Sequence, residues 1–212
     1  MVIRCVSHMG TARTVLLLRI LAVVLLLFVS SAGCTGKPPV STGTLATPSV
    51  TASGEKSDGG VFTLHAANVS DSSILPIAYT CAARMPSSPP ISWDNVPDGT
   101  KTLTLIMEDP DAPSGTFTHW IVFNIPPERM NLPADVGGVK EIGGGGQQGS
   151  SSAGERGYYP ACPPVGSRHR YIFTLYAVDY TMGLPTADRD SINRMLNDHV
   201  IGEVVVTTTF SR

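Results

Sequence analysis

Two short stretches of this 212-residue chain carry most of its potential for chemistry. The first holds Asp109, in the run Asp-Pro-Asp-Ala-Pro, and then His119. The second runs from Cys162 through two prolines to His169 and Tyr171. Imidazoles and a phenol can hydrogen bond an anion, and a carboxylate can orient them. Because each stretch lies where an apolar segment meets a proline-rich turn, we expect both at the mouth of a β-sheet core, where ligand pockets are common.

Three predicted strands would position these groups. Residues 102–108, 116–125 and about 170–178 are apolar and rich in β-formers, and every second side chain of a strand points to the same face. On that pattern Asp109 emerges from the apolar face of the first strand. His119 shares a face with Ile121 and Phe123 in the second. His169 and Tyr171 begin the apolar face of the third. The pattern therefore predicts one polar cluster at the end of a sheet.

The rest of residues 61–212 predicts a domain that is mainly β. Weaker strand patterns occur at residues 61–66, 77–81 and 203–210. Asp188 or Asp190 can cap a helix that runs to about residue 198, with one apolar stripe. Strands outnumber helices, so we expect a mostly antiparallel β domain with a few peripheral helices. Residues 143–154 are mostly Gly and Ser and predict a mobile loop, either a lid over the site or a slack surface excursion.

The first 33 residues read as a secretory signal peptide. They carry three arginines and no acid, an unbroken apolar run at residues 20–29, and small residues before Cys34. A cysteine in that position resembles a bacterial lipobox, which predicts a lipidated Cys34 and a lipid anchor in the cell envelope. Ordinary secretion and an uncleaved anchor are the alternatives. Residues 34–60, dominated by Ser, Thr, Gly and Pro, predict a flexible tether.

The charge balance argues against a nucleic-acid partner. The whole chain has 15 Lys and Arg against 17 Asp and Glu, a net charge of −2. Removing the three arginines that precede Cys34 leaves 12 basic residues and a net charge of −5. Nucleic-acid binding needs a clustered basic patch, and the sequence has none. We therefore expect no nucleic-acid partner.

Cys81 and Cys162 are the two cysteines inside the predicted domain. In an exported protein they predict a disulfide, although two buried free thiols are the alternative. No Cys-x-x-Cys spacing occurs. We expect neither a metal nor another cofactor.

Residues 104–113 with 119–126 resemble the first signature of the phosphatidylethanolamine-binding protein family, also called Raf kinase inhibitor-like proteins. Residues 162–166 with 169–171 resemble its second signature, and the remaining similarities fit the family's bacterial branch. The resemblance implies a β-sandwich with a small pocket for phosphate-like groups, including phospholipid headgroups. Carried onto this sequence, it assigns the pocket to Asp109, His119, Tyr158, Pro163, Pro164, His169 and Tyr171.

Three functions are compatible with these residues. The preferred one is non-catalytic binding of a phosphate-like group at the cell envelope, with Asp109 orienting a histidine. The alternative is a regulator that binds and inhibits an enzyme, for which residues 143–154 are a candidate surface. A hydrolase would use Asp109 and His119 as part of a catalytic triad. It is disfavoured because no Gly-x-Ser-x-Gly nucleophile motif is present.

Overall fold

The computed structural model describes residues 60–212. The predicted signal peptide, Cys34 and nearly all of the predicted tether lie outside the described residues. No helix within the described part is long and apolar enough to cross a bilayer. The strands are β1 (Thr63–Ala66), β2 (Ser73–Ile74), β3 (Ile91–Asp94), β4 (Thr102–Asp109), β5 (Phe117–Ile125), β6 (Asn131–Leu132), β7 (Gln147–Gln148), β8 (Arg168–Val178) and β9 (Val200–Ser211), with one helix, α1 (Arg189–Leu196), and a 3₁₀ turn at Ile77–Tyr79.

The strands form two sheets. The larger has the order β2-β9-β8-β4-β5-β7, and the smaller has the order β1-β3-β6. All pairings are antiparallel except that of β2 with β9. The prediction of a mainly β, antiparallel sandwich is therefore confirmed, with one α-helix in residues 60–212.

Strands β4 and β5 of the larger sheet are buried on both faces. One face packs on the smaller sheet, where Trp93 of β3 joins Met107 of β4 and Phe173 of β8 in the main core. The other face packs on α1 through a second, smaller core that includes Ile106 and Ile192. Because both faces are covered there, seven of the eight residues of β4 are buried, whichever face they point to.

A β-bulge interrupts β5 at His119, one of the predicted site residues. Met107 pairs with Trp120, but the next residue of β4, Glu108, pairs with Thr118. His119 is therefore an extra residue on β5, and a bulge of this kind re-aims the side chains around it. The predicted face of His119, Ile121 and Phe123 is wrong for this reason, because Ile121 and Phe123 belong to the core under α1.

The predicted strand at residues 77–81 is also wrong. The segment instead forms the 3₁₀ turn Ile77–Tyr79. Both the N–H and the hydroxyl of Thr80 donate to the Ile77 carbonyl, each at 2.9 Å, and close the turn. The Cys81 N–H then donates to Ala161, which fixes the end of the turn against the second site-forming stretch.

The glycine-rich segment 143–154 is anchored along the edge of the larger sheet. Gln147 and Gln148 form β7 beside β5. The buried Gln148 side chain accepts a hydrogen bond from Trp120 Nε1 and donates to the carbonyls of Gly137 and Val139, all at 2.8 Å. Neither part of the prediction, a mobile lid or a slack excursion, describes a segment held in this way.

Helix α1 begins where the sequence predicts. Asp188 caps it by accepting the Ser191 N–H at 2.9 Å, and the Ser191 hydroxyl in turn accepts the Asp188 N–H. This reciprocal arrangement is a capping box, which satisfies N–H groups that have no partner inside the helix. Ile192 and Leu196 form its buried stripe.

Candidate functional site

Asp109, at the end of β4, is the centre of the predicted polar cluster. Its Oδ2 accepts a hydrogen bond from Nδ1 of His169 at 2.7 Å, and its Oδ1 accepts the N–H of Asp111 at 2.9 Å. Both side chains of the Asp109–His169 pair are almost fully buried. The carboxylate thus holds the imidazole of His169 in one orientation and the Asp-Pro-Asp turn in one conformation. The Nε2 atom of His169 stays available to a ligand.

Asp111 ties the same turn to the start of β8. It accepts hydrogen bonds from Nε of Arg170 at 2.9 Å, from Nη2 of Arg170 at 2.7 Å and from the Arg170 backbone N–H at 2.9 Å. These bonds from Arg170 lower the pKa of Asp111 from 3.8 to about 2. The two aspartates therefore have separate tasks, since Asp109 orients a histidine and Asp111 clamps the backbone.

His119 is brought to the same site by the bulge in β5. Its Nδ1 donates to the Tyr159 carbonyl at 2.8 Å, and its ring packs on Phe117 and against the edge of Tyr171. Burial lowers the pKa of His119, while the Tyr159 carbonyl and the charge of Asp109 oppose that effect only in part. His119 is therefore neutral at pH 7, with its proton on Nδ1 and a free lone pair on Nε2.

These two histidines line one cavity of about 330 Å³, within the size range of small-molecule sites. Its apolar walls include Pro113, Phe117 and Pro164, and Cys162 and Ser114 also face it. Within residues 60–212 neither histidine uses its Nε2 in a recorded hydrogen bond. The cavity thus presents two imidazole nitrogens inside an otherwise mostly apolar pocket.

The predicted site residues divide into two groups. Asp109, His119, Pro164 and His169 line the cavity, as a site requires. Pro163, Tyr158 and Tyr171 do not line it.

Tyr171 lies behind His119 and is fully buried. Its hydroxyl has no hydrogen-bond partner among the described residues, and burial raises its pKa. Tyr171 therefore supports the ring of His119 rather than facing the cavity.

Tyr158, which the resemblance assigns to the pocket, does not line the cavity. Its hydroxyl donates to the Tyr79 carbonyl at 2.5 Å, and its ring packs perpendicular to that of Trp120. Burial raises its pKa. The adjacent Tyr159 lines the cavity instead and supplies the carbonyl that holds His119. In an extended segment neighbouring side chains point to opposite sides, so a pair of tyrosines offers no signal for choosing between them.

Cys81 and Cys162 form a disulfide with their Cα atoms 5.3 Å apart. The bond joins the turn after Tyr79 to the Cys-Pro-Pro turn that lines the cavity. A guanidinium nitrogen of Arg212 lies 3.1 Å from the sulfur of Cys162, which puts a positive charge at this edge of the site. The disulfide thus holds one of the turns that line the cavity, and the Asp111–Arg170 clamp holds another.

The predicted pairing of Asp109 with His119 does not form. Asp109 binds His169, and His119 binds a backbone carbonyl. The acid–histidine dyad on which the hydrolase alternative depends is therefore wrong as assigned. Residues 60–212 also contain no group of three or more His, Cys, Asp or Glu side chains arranged to hold a metal ion.

The comparisons with known proteins agree with this fold. The family model of phosphatidylethanolamine-binding protein matches residues 65–211. A UPF0098 protein of Methanothermobacter thermautotrophicus is 42% identical over 149 residues, which cover 70% of this chain and 96% of the relative. The chain therefore belongs to the phosphatidylethanolamine-binding protein family.

Two solved structures share the fold. One is described as a putative phosphatidylethanolamine-binding protein homologue from Chlamydia trachomatis. It has a TM-score of 0.65 and 32% identity, over 71% of this chain and 97% of the other. The second is YbcL of Escherichia coli, described as a new member of the mammalian family. It has a TM-score of 0.64 and 28% identity, over 71% of this chain and 98% of the other.

Proposed function

We propose that the cavity between β4, β5 and β8 binds a phosphate-like anionic group without catalysing a reaction. The group belongs to a phospholipid headgroup or to another phosphorylated ligand. One observation carries the proposal: His119 and His169 line the same cavity, and each uses Nδ1 to hold its position, which leaves its Nε2 without a partner among residues 60–212. Two anchored imidazoles can each hydrogen bond one phosphate, as donors when protonated or as acceptors of a proton that the ligand carries.

The negative charge of Asp109 does not oppose this function strongly. Its two oxygens accept hydrogen bonds from His169 and from the Asp111 N–H, which disperse the charge. The nearby guanidinium of Arg212 favours an anion at the edge of the cavity. The surroundings are thus compatible with a bound phosphate.

The protonation state of His119 determines whether its Nε2 donates or accepts a hydrogen bond in contact with the ligand. Its Nε2 is an acceptor while the imidazole is neutral, so it can pair only with a proton carried by the ligand. When His119 is protonated, Nε2 becomes a donor to a phosphate oxygen. Anion binding and protonation of His119 should therefore strengthen each other, and binding should raise the pKa of His119 above its lowered value in the free protein.

A binding role is preferred to a hydrolytic one on geometric grounds. A triad needs a histidine that joins an acid to a nucleophilic hydroxyl. His169 has the acid, and Ser114 faces the same cavity. However, the Ser114 hydroxyl makes no recorded hydrogen bond to His169 in the described part of the chain. Its turn ends at Gly115, whose φ of 99° lies in the left-handed region that favours glycine.

We also propose that the domain acts at the cell envelope, tethered by an acylated Cys34. The support is the signal-like sequence and the small residues before that cysteine. Intact-mass measurement of the protein from the membrane fraction tests this. The expected result is a chain that begins at Cys34 with acyl mass added and that moves to the soluble fraction in Cys34→Ser. An unmodified chain in both samples would end this part of the proposal.

The anion site is tested by NMR titration of the ¹⁵N-labelled full chain with phosphate and with phosphoethanolamine. We expect saturable shifts at Asp109, His119 and His169 that are weakened in His119→Ala. Tyr171→Phe should have a smaller effect, because it keeps the ring that supports His119. The control is His65→Ala, since His65 is exposed on β1 of the smaller sheet. Shifts that are absent, or equal in His119→Ala and wild type, would refute the anion site.

A second candidate function, regulation of a partner protein, has one supporting observation. Three large apolar side chains are exposed on the turns joined by the disulfide: Ile77 at 62%, Met85 at 85% and Val165 at 77%. Such side chains favour a protein contact near the cavity mouth. If phosphate produces no shift, chemical crosslinking in envelope extract, compared between wild type and Met85→Ser with Val165→Ser, becomes the leading experiment.

A further inference from the structure

Three segments of the chain meet at the disulfide and form one surface beside the cavity. The turn that begins at Ile77 is joined to the Cys-Pro-Pro turn, which lines the cavity, by the disulfide and by the bond from the Cys81 N–H to the Ala161 carbonyl. The end of β9 joins them through Arg212, whose carbonyl accepts the Gly166 N–H at 2.7 Å. We call this surface the disulfide face, and its exposed side chains are Ile77, Arg84, Met85, Val165, Arg168 and Arg212.

Val165 occupies the tip of a tight turn on the disulfide face. The Ser167 N–H donates to the Pro164 carbonyl at 3.0 Å, which closes a four-residue β-turn around Val165 and Gly166. Gly166 has a φ of 84°, which is typical of the third position of a type II turn. The turn therefore presents a rigid apolar side chain to solvent, 77% exposed.

Ile77 and Met85 are presented in a similar way. The Ser87 N–H donates to the Ala78 carbonyl at 3.1 Å, so the loop that carries Met85 returns to the turn that carries Ile77. Both side chains are more than half exposed. Three apolar side chains thus project from separate turns around one disulfide, and no groove holds them.

The segments that form the disulfide face carry no acidic side chain. Residues 72–93, 160–170 and 204–212 contain neither Asp nor Glu, although the chain after the first 33 residues has a net charge of −5. The acids of the protein are therefore concentrated elsewhere, and the disulfide face is locally positive.

Three arginines supply this positive charge. Among residues 60–212, Arg84, Arg168 and Arg212 form no salt bridge with a carboxylate side chain. Arg168 contacts only the Ser211 hydroxyl, and Arg212 contacts the disulfide sulfurs. Arg170, in contrast, is already paired with an aspartate. The three guanidinium groups are thus available to an anionic partner.

Exposed apolar side chains among such arginines are suited to a bilayer that contains anionic phospholipids. The apolar tips can enter the boundary between headgroups and acyl chains, while guanidinium groups hydrogen bond the lipid phosphates. A protein partner has a fixed surface and binds through close shape complementarity. Side chains at the tips of separate turns do not provide that complementarity by themselves, whereas a fluid lipid surface does not require it.

We propose that the disulfide face docks the domain on an anionic bilayer, with the cavity beside it directed toward the lipid headgroups. Docking itself does not depend on anion binding in the cavity. Its use, which is to bring the cavity to the phosphate of a membrane phospholipid, rests on the function proposed above. Docking therefore identifies the membrane, rather than free phosphate in solution, as the source of the ligand.

The test uses the methyl-labelled full chain in lipid nanodiscs that carry a gadolinium-chelating lipid, which broadens the NMR signals of nearby methyl groups. With phosphatidylcholine and phosphatidylglycerol, we expect broadening at Ile77, Met85 and Val165. Ile201 is the internal control, since it is also exposed but lies near the other end of β9, roughly 35 Å from Arg212 along the strand. Phosphatidylcholine alone should give several-fold weaker broadening. Equal broadening of Ile201 and Val165, or none at either, would overturn the proposal.

Variants test the roles of charge and apolar contact. Arg84→Gln and Arg168→Gln should each weaken binding to anionic nanodiscs about fivefold. Arg194→Gln is the matched control, because Arg194 is exposed on α1 and forms no salt bridge in the described part of the chain. Val165→Ser should also weaken binding, at a turn tip where the fold does not depend on the side chain.

His119→Ala separates docking from the proposed anion site. It should abolish the phosphate response of the cavity and leave the broadening pattern unchanged, so a failure of one proposal is distinguishable from a failure of the other. If the two arginine variants bind anionic nanodiscs as tightly as Arg194→Gln does, the disulfide face does not dock on lipid. A protein contact then remains as the explanation of its apolar side chains.

Discussion

Nδ1 of His169 lies 2.7 Å from Oδ2 of Asp109, and the two residues are 60 positions apart in the chain. This contact joins the two sequence stretches that carry the polar side chains of the cavity for which we propose anion binding, called the anion pocket below. It also shows how a carboxylate can be compatible with that proposal. Asp109 fixes the ring of His169 and uses both of its oxygens within the protein.

Asp109→Asn should loosen the anion pocket. The asparagine has one oxygen where the carboxylate has two acceptors, so either His169 Nδ1 or the Asp111 N–H loses its partner in a buried setting. We expect a loss of about 1–3 kcal/mol in unfolding free energy, measured by urea denaturation, together with weaker phosphate binding. Asp94→Asn is the control, because Asp94 contacts His65 at an exposed position, where such pairs contribute little. Equal effects of the two variants would contradict this role of Asp109.

Anion binding should strengthen as the pH falls below the usual histidine range near 6.5. The pKa of His119 is lowered in the free protein, so protonation that turns Nε2 into a donor requires more acid. Inorganic sulfate is the suitable probe, because its charge does not change in this range while that of phosphate does. The dissociation constant from NMR titration should decrease with acid in wild type. It should change much less in His119→Gln, and a parallel change in both proteins would count against His119.

The stability of the ligand-free protein should show the opposite trend. A histidine whose pKa is lowered on folding binds protons more readily in the unfolded state, so acid favours unfolding. The unfolding free energy should therefore fall as the pH drops through 6.5, and this slope should be shallower in His119→Gln. His65→Gln, at an exposed site, should keep the wild-type slope. Urea denaturation at several pH values measures all three.

Asp111 should support the fold down to an unusually low pH. Its pKa is lowered from 3.8 to about 2, chiefly by Arg170, so the folded state keeps the carboxylate charged where the unfolded chain protonates it. The contribution is fully present above pH 4 and is lost as the pH falls from about 4 to 2. Because the pair is partly exposed, we expect about 1 kcal/mol or less. Asp111→Asn should remove this part of the pH dependence, and an unchanged acid profile would contradict the clamp.

Gln148→Ala should be more costly than its polar, loop-like sequence context suggests. The change leaves Trp120 Nε1 and the carbonyls of Gly137 and Val139 without partners. We expect a loss of about 2–4 kcal/mol in unfolding free energy, from the unpaired buried groups. Gln147→Ala is a matched control in the same short strand, since the Gln147 side-chain oxygen has no partner among the described residues. A smaller loss for Gln148→Ala than for Gln147→Ala would refute the anchoring of this segment.

The sequence predicted most of the framework because long apolar runs identify strands well. β4, β8 and the capped helix α1 were predicted from periodicity alone, and the face of β8 that carries His169 and Tyr171 agrees with the alternation. The bulge at His119 was not predicted, because the alternation pattern assumes that strand residues point to the two faces in strict turn. An extra residue breaks this pattern, and the amino-acid sequence of β5 does not indicate where. The buried role of Gln148 was missed because its partners are backbone carbonyls and one indole, brought together only by the fold.

The site residues were predicted less completely, for a related reason. Asp109, His119 and His169 are polar groups at the ends of apolar strands, and sequence reasoning detects that contrast. It does not reveal which histidine the aspartate contacts, since that depends on the pairing of β4 with β8 and on the bulge in β5. Tyr159 acts on His119 through its backbone carbonyl, and a backbone contact has no side-chain signature.

The two segments that form the site are far apart in the chain, and this distance has a consequence for the order of folding. β4 and β5 are joined by a short turn and can pair early as a local hairpin, whereas β8 must close a long loop before it pairs with β4. The Asp109–His169 contact therefore belongs to a late event. We expect Asp109→Asn to accelerate unfolding more than it slows refolding, which stopped-flow kinetics can measure. A chain caught before that event would have its hairpin but no anion pocket, so ligand binding would report on the completed fold.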